Sequence, residues 1–407
     1  MSSSTTFQVI EHTVPCQHIR EYPAATKRTQ DDVLHLAVKQ YIPTSDPRPL
    51  PRAVTTLIAP GGGFAKVRCN RDGLGIHNIW AADPAHQDQG SIVNQELLVS
   101  HFNHCRDLLQ LINAKRDEMP HPIVAIIHSA GSFALVNLCL IHPQLFQAIV
   151  LIEPPITRPV TRLRNKKLYN HSTLLRPHLQ FSPSQKTAAE SFRRKAFFQT
   201  WDPHIFERVV KYGLRNDLTR SPLHENNNQS SRPTPVTLST PLAQELASFR
   251  QPYHDLPAPD AGPDHPRNRL THPDLDPELL TSIPFYRPEI TALVLYIFGS
   301  KSHISLPELR SDKLQVTGIT TGGSGGAAAG RVREAVMKEY SHQVPFEAVN
   351  EYADKVARWL AGESRRWCRE EKALHERWGK FPAVDNTTVK KRWKAHFPKA
   401  HRMKSRL

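Results

Sequence analysis

Along the first 155 residues, short apolar runs alternate with a stretch of helical periodicity. Residues 7–14 and 34–42 alternate apolar and polar side chains, which predicts an antiparallel strand pair at a sheet edge. Further strands are predicted at residues 53–59, which are rich in β-branched side chains, at 76–82, and at the apolar runs 123–127 and 148–152. Residues 100–116 repeat apolar side chains every three or four positions, as a helix does. This alternation predicts a mostly parallel sheet with helices on both faces.

The pattern breaks off after residue 155 and resumes near residue 290. Residues 291–298 and 332–337 predict the last two strands, and one apolar stripe marks the helix that follows. In between, residues 216–288 hold 13 of the 34 prolines. These boundaries predict a core, an inserted helical cap with a Pro-rich, partly disordered portion, and a C-terminal extension. The predicted ranges are 1–155 with 290–362 for the core, 156–289 for the cap and 363–407 for the extension.

A serine stands at a sharp turn between a predicted strand and a predicted helix. Residues 127–131 are Ile-His-Ser-Ala-Gly, one residue away from the G-x-S-x-G nucleophile elbow of α/β-hydrolases. We therefore predict that fold, with the cap between core strands six and seven and Ser129 as nucleophile. Ile127 takes the first glycine position, where backbone strain costs about 1–3 kcal/mol. A catalytically weak or inactive binding protein of the same fold is the alternative.

A nucleophilic serine needs a general base and an acid that orients the base. In this fold they follow the serine in the order acid, histidine. His342 is the first histidine after the last predicted strand and is the candidate base. The usual acid loop, residues 299–305, contains no carboxylate. Three alternatives stay open: Glu153 at the end of the preceding core strand, Asp83, which would break the chain order, and a dyad without a carboxylate.

The oxyanion of the tetrahedral intermediate needs two backbone N–H donors. The first donor follows the nucleophile and belongs to Ala130. The second is expected in the loop after residues 53–59, where Gly63 and Phe64 lie. Each donor of this kind contributes about 3 kcal/mol to the transition state.

A second glycine-rich segment, residues 322–330, resembles a phosphate-binding loop only superficially. Arg331 and Val332 stand where a P-loop requires Lys and Ser or Thr, and no G-x-G-x-x-G register fits. We predict a tight backbone crossing near the active site instead.

The amino-acid composition limits the class of protein further. Hydrophobic residues make up 39% of the chain and charged residues 22%. No apolar stretch is long enough to span a bilayer, and there is no secretory signal pattern. Five cysteines without paired spacing predict a reducing compartment and no metal site. The site as predicted needs no cofactor, and its partner is a small-molecule acyl substrate.

Positive charge is concentrated near the C-terminus. Residues 363–407 contain 14 Lys or Arg residues against 5 Asp or Glu, so +9 of the formal net charge of +15 lies there. Since no nucleic-acid motif accompanies it, we interpret the segment as a solvated tail and predict no nucleic-acid partner.

The last three residues, Ser405, Arg406 and Leu407, are a variant of the S-K-L peroxisomal address. They predict a peroxisomal protein that binds the import receptor through its C-terminus.

Several of these motifs recur in one order. They are Gly63-Phe64, Asp83 at a strand end, the segment 122–131, His142-Pro143, Leu151 to Pro154, the glycines of 321–326, Glu339 to His342 and the S-R-L terminus. Together they resemble the peroxisomal α/β-hydrolases of filamentous fungi, including those of host-selective (AK/AF-type) toxin biosynthesis, and are similar to the yeast peroxisomal lipase. The resemblance implies a serine hydrolase of acyl esters or CoA thioesters in peroxisomes, within secondary metabolism. The chain departs from the family at Ile127 and at Pro60, which replaces a histidine.

Overall fold

The computed structural model describes most of the chain in separate segments. They are residues 7–20, 26, 29, 31–44, 53–59, 74–94, 101–156, 181–217, 234–241, 244 and 290–380. Gly63, Phe64 and the tripeptide Ser405, Arg406 and Leu407 lie outside the described residues. The chain divides into two compact units, residues 1–361 and 362–407.

An eight-stranded sheet forms the centre of the first unit. In chain order its strands are β1 (Phe7–Pro15), β2 (His35–Pro43), β3 (Val54–Ala59), β4 (Ile76–Ala82), β5 (Ile123–His128), β6 (Ala148–Ile152), β9 (Leu293–Gly299) and β10 (Val332–Met337). A separate pair, β7 (Leu214–Asn216) and β8 (Val236–Leu238), lies between the sixth and seventh of these strands. The spatial order is β1-β2-β4-β3-β5-β6-β9-β10. β1, β2 and β4 pair antiparallel, and every other neighbour is parallel. The predicted edge pair and parallel core are confirmed.

Nine helices are described. They are α1 (Asp88–Asn94), α2 (His101–Ala114), α3 (Ser132–Ile141), α4 (Gln185–Arg193), α5 (Ala196–Gln199), α6 (Pro203–Tyr212), α7 (Pro307–Val316), α8 (Val344–Glu347) and α9 (Val349–Trp378). None of them is both long enough and apolar enough to cross a membrane.

Alternate side chains of the strands bury themselves on opposite faces of the sheet. Leu57, Ile127 and Phe298 pack with α2 and α3 on one face. Ile58 and Ile126 pack with the apolar stripe of α9 on the other. Because both faces are covered, the central strands carry no polar alternation, and β5 is buried at all six positions.

The segment between β6 and β9 contains helices α4, α5 and α6 and the β7–β8 pair. It has its own small core, in which Phe192, Phe198 and Phe206 pack with Val236. We call residues 181–217 and 234–241 the described cap. Its chain position agrees with a cap after the sixth core strand.

The glycine-rich segment lies at the amino edge of the sheet. The N–H of Ser324 donates to the carbonyl of Ile290 just before β9 at 2.8 Å, and that of Arg331 donates to Gly326 just before β10 at 3.0 Å. Gly326 has a φ of +69°, which favours glycine. The prediction of a crossing near the active site was wrong, since the candidate nucleophile follows the opposite, carboxyl end of β5.

The described part of the second unit is the C-terminal portion of α9. Its charged side chains pair along the helix, Arg366 with Glu363 at 3.3 Å and His375 with Glu371 at 3.7 Å. The exposed pair of His375 and Glu371 adds a few tenths of a kcal/mol, about 0.3–0.5, when the histidine is protonated.

Candidate active site

Ser129 lies in a strained turn between β5 and α3. A single 3-10 turn, Ser129–Gly131, links the strand to the helix. Ser129 has a φ of +53°, a left-handed conformation that is uncommon for any residue other than glycine. This turn presents the serine at the carboxyl edge of the sheet, as a nucleophile elbow does.

Ile127 fits the elbow because residue 131 has no side chain. Ile127 is only 2% exposed. A Cβ added to Gly131 would lie 2.9 Å from both Cγ1 and Cδ1 of Ile127 and 3.4 Å from the carbonyl oxygen of Ala59. The isoleucine therefore fills the space beside Gly131 and leaves Ser129 in the left-handed conformation.

His342 follows β10 and reaches Ser129. Its Nε2 atom lies 2.9 Å from Oγ of Ser129, which places the serine hydroxyl to donate to the imidazole. The side chain of His342 is 19% exposed, so the imidazole faces a partly solvated cleft.

Two groups that the sequence analysis missed hold the His342 loop. Glu347 on α8 accepts hydrogen bonds from the N–H and Oγ of Ser341, at 2.7 and 2.8 Å. His128, the residue before the nucleophile, donates through Nε2 to the carbonyl of His342 at 2.9 Å. The loop is thus tied both to its own helix and to the elbow.

Glu153 lies on the far side of the imidazole. It follows β6 directly, is fully buried, and places Oε2 3.2 Å from Nδ1 of His342. Ser129, His342 and Glu153 therefore form one continuous hydrogen-bonded chain. This is the geometry in which a carboxylate orients a base and the base withdraws a proton from a serine.

The loop after β9 binds the carboxylate of Glu153 without supplying one. The N–H of Gly299 donates to Oε1 at 2.5 Å, and the hydroxyls of Ser302 and Ser305 donate to Oε2 at 2.5 and 2.9 Å. Burial acts to raise the pKa of Glu153, but hydrogen bonds from His342, Ser302 and Gly299, with the His342 charge, hold it below its ordinary value. The acid is therefore ionised at neutral pH. The serines in residues 299–305 were the sequence signal for this arrangement.

Asp83 belongs to a different cluster. It follows β4, where burial and the neighbouring charge of Asp88 raise its pKa, and Lys39 acts in the opposite direction. The carboxylate at Nδ1 of His342 is that of Glu153 and not that of Asp83.

Of the expected oxyanion donors, only Ala130 lies in the described residues. It occupies the 3-10 turn directly after Ser129. β3 pairs with β5 so that Ala59 is opposite Ile127. The loop expected to carry the second donor therefore starts beside the elbow, while Gly63 and Phe64 themselves stay predictions.

The described cap contacts the groups that hold His342. The rings of Trp201 and Phe346 are in contact, with centroids 4.3 Å apart and planes tilted by 31°, and the N–H of Asp202 donates to the carbonyl of Phe346 at 2.8 Å. Thr200 donates to Oε1 of Glu347 at 2.7 Å. Among the described residues, no cluster of three metal-ligating side chains was found.

Comparisons with known proteins identify the family of this chain. No protein-family model matches the chain. It is 33% identical to the type I acyl-CoA thioesterase mpaH of Penicillium roqueforti, over 96% of this chain and 95% of the relative. It is 34% identical to mpaH' of Penicillium brevicompactum, over 92% of each. The abhydrolase domain-containing protein AKT2 of Alternaria alternata is 23% identical over 60% of this chain and 84% of its own length.

Among solved structures, the peroxisomal α/β-hydrolase Lpx1 of Saccharomyces cerevisiae aligns with a TM-score of 0.60 at 16% identity. The alignment covers 96% of this chain and 95% of Lpx1. The predicted α/β-hydrolase fold and the resemblance to fungal hydrolases are confirmed. The chain belongs to the α/β-hydrolase family that contains the Penicillium type I acyl-CoA thioesterases.

Proposed function

We propose that this hydrolase cleaves acyl-CoA thioesters, with Ser129 as nucleophile, His342 as general base and acid, and Glu153 as the orienting carboxylate. The observation that carries the proposal is the continuous hydrogen-bonded chain of these three side chains, at 2.9 and 3.2 Å. The thioesterase names of relatives at 33% and 34% identity support the substrate class.

In the first half-reaction, Oγ of Ser129 attacks the thioester carbonyl carbon while Nε2 of His342 takes its proton. The ionised carboxylate of Glu153 stabilises the resulting imidazolium. The carbon–sulfur bond then breaks, the acyl group stays on Ser129 as an ester, and CoA leaves as the thiol with the proton from His342.

In the second half-reaction, water attacks the acyl-enzyme ester. His342 accepts a proton from the water and returns it to Oγ of Ser129, which releases the free acid. The backbone N–H of Ala130, with that of Gly63 or Phe64, would bind the oxyanion in both steps, each contributing about 3 kcal/mol.

A fluorophosphonate probe and a thiol-release assay test the proposal together. We expect the full-length protein to be labelled by the probe and to release free thiol from medium-chain acyl-CoA. Ser129→Ala should lose both activities, because no other hydroxyl in the described residues contacts His342 Nε2. Absence of labelling and of thiol release from the wild type, at a pH where Glu153 is ionised, would favour the binding-protein alternative.

We further propose that the protein acts in peroxisomes and serves fungal secondary metabolism. The C-terminal Ser405, Arg406 and Leu407 support import through the receptor for such tripeptides. The peroxisomal name of the structural neighbour Lpx1 and the Penicillium and Alternaria relatives are consistent with it. We also propose that the chain is divided into the core, cap and basic extension predicted from the sequence.

A further inference from the structure

We propose that the charged face of α6, together with Lys39 on β2, binds the phosphates of the CoA leaving group, a 3'-phosphorylated adenosine diphosphate. The inference rests on the proposed thioesterase function and extends it to a second site on the chain. No residue of this face belongs to the Ser129, His342 and Glu153 chain.

The face lines a cavity on the surface of the described cap. His204, Arg208, Lys211 and Tyr212, with Glu207, follow a spacing of three and four along α6 and border a cavity of about 420 Å³. Sites for cofactor-sized ligands have volumes of roughly 300–1,000 Å³. The opposite face of α6 carries the buried Ile205 and Phe206, so the helix is held by its apolar side.

Lysines from two elements lie beside Tyr212, which borders this cavity. Nζ of Lys39 lies 6.0 Å from the ring centroid of Tyr212, and Nζ of Lys211 lies 5.1 Å from the same centroid. Burial raises the pKa of Tyr41, and the charges of Lys39 and Arg208 oppose that effect, so both cations lie near this tyrosine.

Nearby carboxylates offset Lys39, since Asp83 also interacts with it, which leaves Arg208 and Lys211 as the cations of the face. Lys39 pairs with Glu11 at 3.2 Å, and Glu207 is the acid on the face itself. Within the described residues, neither Arg208 nor Lys211 forms an ion pair. An arginine fork and a lysine are the usual protein ligands of a diphosphate.

The length of α6 matches the length of the pantetheine arm of CoA. α6 starts beside the His342 loop, where Trp201 and Asp202 contact Phe346, and it ends at Tyr212. Ten helical residues span about 15 Å. The pantetheine arm between the thioester sulfur and the diphosphate has as many backbone bonds as roughly four residues of extended chain, which also span about 15 Å. The arm of CoA is therefore about as long as α6, which starts beside the His342 loop.

Two substrates with one acyl group test the site in the full-length protein. One is octanoyl-CoA, and the other is the octanoyl thioester of N-acetylcysteamine, which has no nucleotide. For the double variant Arg208→Gln/Lys211→Gln we expect a roughly tenfold higher KM for octanoyl-CoA, the loss of about one charge-assisted contact. Its kcat should stay unchanged, as should both constants for the truncated thioester.

The matched control is Lys186→Gln/Arg194→Gln, which removes the same charge from exposed positions of the described cap. It should leave all constants unchanged. Equal KM values for octanoyl-CoA in the wild type and the α6 variant would overturn the site and leave the thioesterase proposal standing. A wild type that cleaves neither thioester would instead overturn the thioesterase proposal.

Calorimetric titration with adenosine 3',5'-bisphosphate measures binding at this site without turnover. Binding by the wild type and by the control, with at least tenfold weaker binding by the α6 variant, supports the proposal. Equal binding by all three proteins, or no binding by the wild type, contradicts it.

Discussion

At the scale of single residues, the elbow depends on a pair of positions and not on one glycine. Ile127 departs from the motif, yet Ser129 keeps a φ of +53° and its contact with His342. The sequence pattern located the candidate nucleophile, but it did not show whether Ile127 would tilt the turn. That outcome depends on the missing Cβ of Gly131, whose space the isoleucine fills.

We therefore expect Gly131→Ala to be far more damaging than a surface change. A new Cβ 2.9 Å from Ile127 forces overpacking, which costs about 1–3 kcal/mol of the free energy of unfolding. A shift of Ser129 by about 1 Å would also lower kcat/KM roughly a hundredfold. Denaturant unfolding and thiol-release kinetics measure the two effects.

Ile127→Ala alone costs about 2–5 kcal/mol, since it truncates a buried side chain. In that background, Gly131→Ala should cost less in both measurements than it does in the wild type, because the side chain that the new methyl group meets is gone. Gly362→Ala is the control, since a Cβ there meets nothing within 4 Å. Equal damage from Gly131→Ala in both backgrounds would show that the pair does not act through this contact.

Ser302 gives a second prediction at this scale. Ser302→Ala removes a 2.5 Å hydrogen bond to the Glu153 carboxylate, so the pKa of Glu153 should rise. Because the pKa of Glu153 is lowered by folding, its contribution is present above its ordinary pKa and is lost as pH falls through the lowered value. In the variant, that loss should begin at a higher pH.

Urea unfolding between pH 3 and 6, a range that includes the ordinary glutamate pKa of about 4.3, would reveal this shift as an earlier decline of stability on acidification. At pH 7, kcat should fall roughly tenfold with KM unchanged, since a hydrogen bond to a charged group is worth about 1.5–3 kcal/mol. Ser311→Ala, at an exposed position on α7, is the control. A kcat equal to that of the wild type would argue that Ser302 does not position the acid.

At the scale of elements, chain order and sheet register explain which predictions succeeded. The strands were predictable because full burial leaves continuous apolar runs. β6 and β9 are parallel neighbours, and the N–H of Glu153 donates to Ile297 of β9 at 2.8 Å. The acid at the end of one strand is therefore beside the serine-rich loop of the next. The glycine-rich segment was misplaced because a parallel crossover must return the chain to the amino edge before β10 begins.

The Asp83 and Asp88 cluster carries a pH prediction. Burial and the proximity of Asp88 raise the pKa of Asp83, and Asp88 also accepts from the hydroxyl of Ser239 in the described cap at 3.1 Å. A raised acid pKa means that the stabilising form is the protonated one. Its contribution is full below the ordinary aspartate pKa, about 3.9, and is lost as pH rises through the raised value.

Asp83→Asn keeps that neutral form at every pH and should raise Tm at pH 8 with little change at pH 5. The groups facing this cluster are Lys39 on β2, the backbone of Gln89 and the Asp88 carboxylate. Asp117→Asn, at a side chain 94% exposed, is the control. A Tm difference that is the same at both pH values would contradict the assignment.

At the scale of the whole molecule, the charge of the C-terminal extension and its proposed peroxisomal signal follow from the sequence alone and do not depend on the fold. The extension carries +9 of the net +15 and ends in Ser405, Arg406 and Leu407. The approach of α6 to the site, in contrast, could not be inferred from sequence. It depends on contacts such as Trp201 with Phe346, which join segments more than a hundred residues apart.

For localisation, we expect a fluorescent protein fused to the N-terminus of the full chain to colocalise with a peroxisomal marker in a fungal host. Removal of residues 405–407 should disperse it, because the import receptor recognises the exposed tripeptide. Substitution of Lys390, Lys391 and Arg392 by Gln, which lowers the charge of the tail but keeps the address, should leave the colocalisation intact. If the protein without the tripeptide still colocalised with the marker, import through this tripeptide would be excluded.

The contacts between the described cap and the His342 loop have a consequence for protein engineering. Glu153 directly follows β6 near the end of the first core segment, and Thr200 in the described cap binds Glu347, which holds the His342 loop. In a chimera with a foreign cap, the core alone is therefore not expected to form the complete active site. Its junctions have to preserve residues 153–156 and the turn at 200–202, or the graft will misalign acid and base simultaneously.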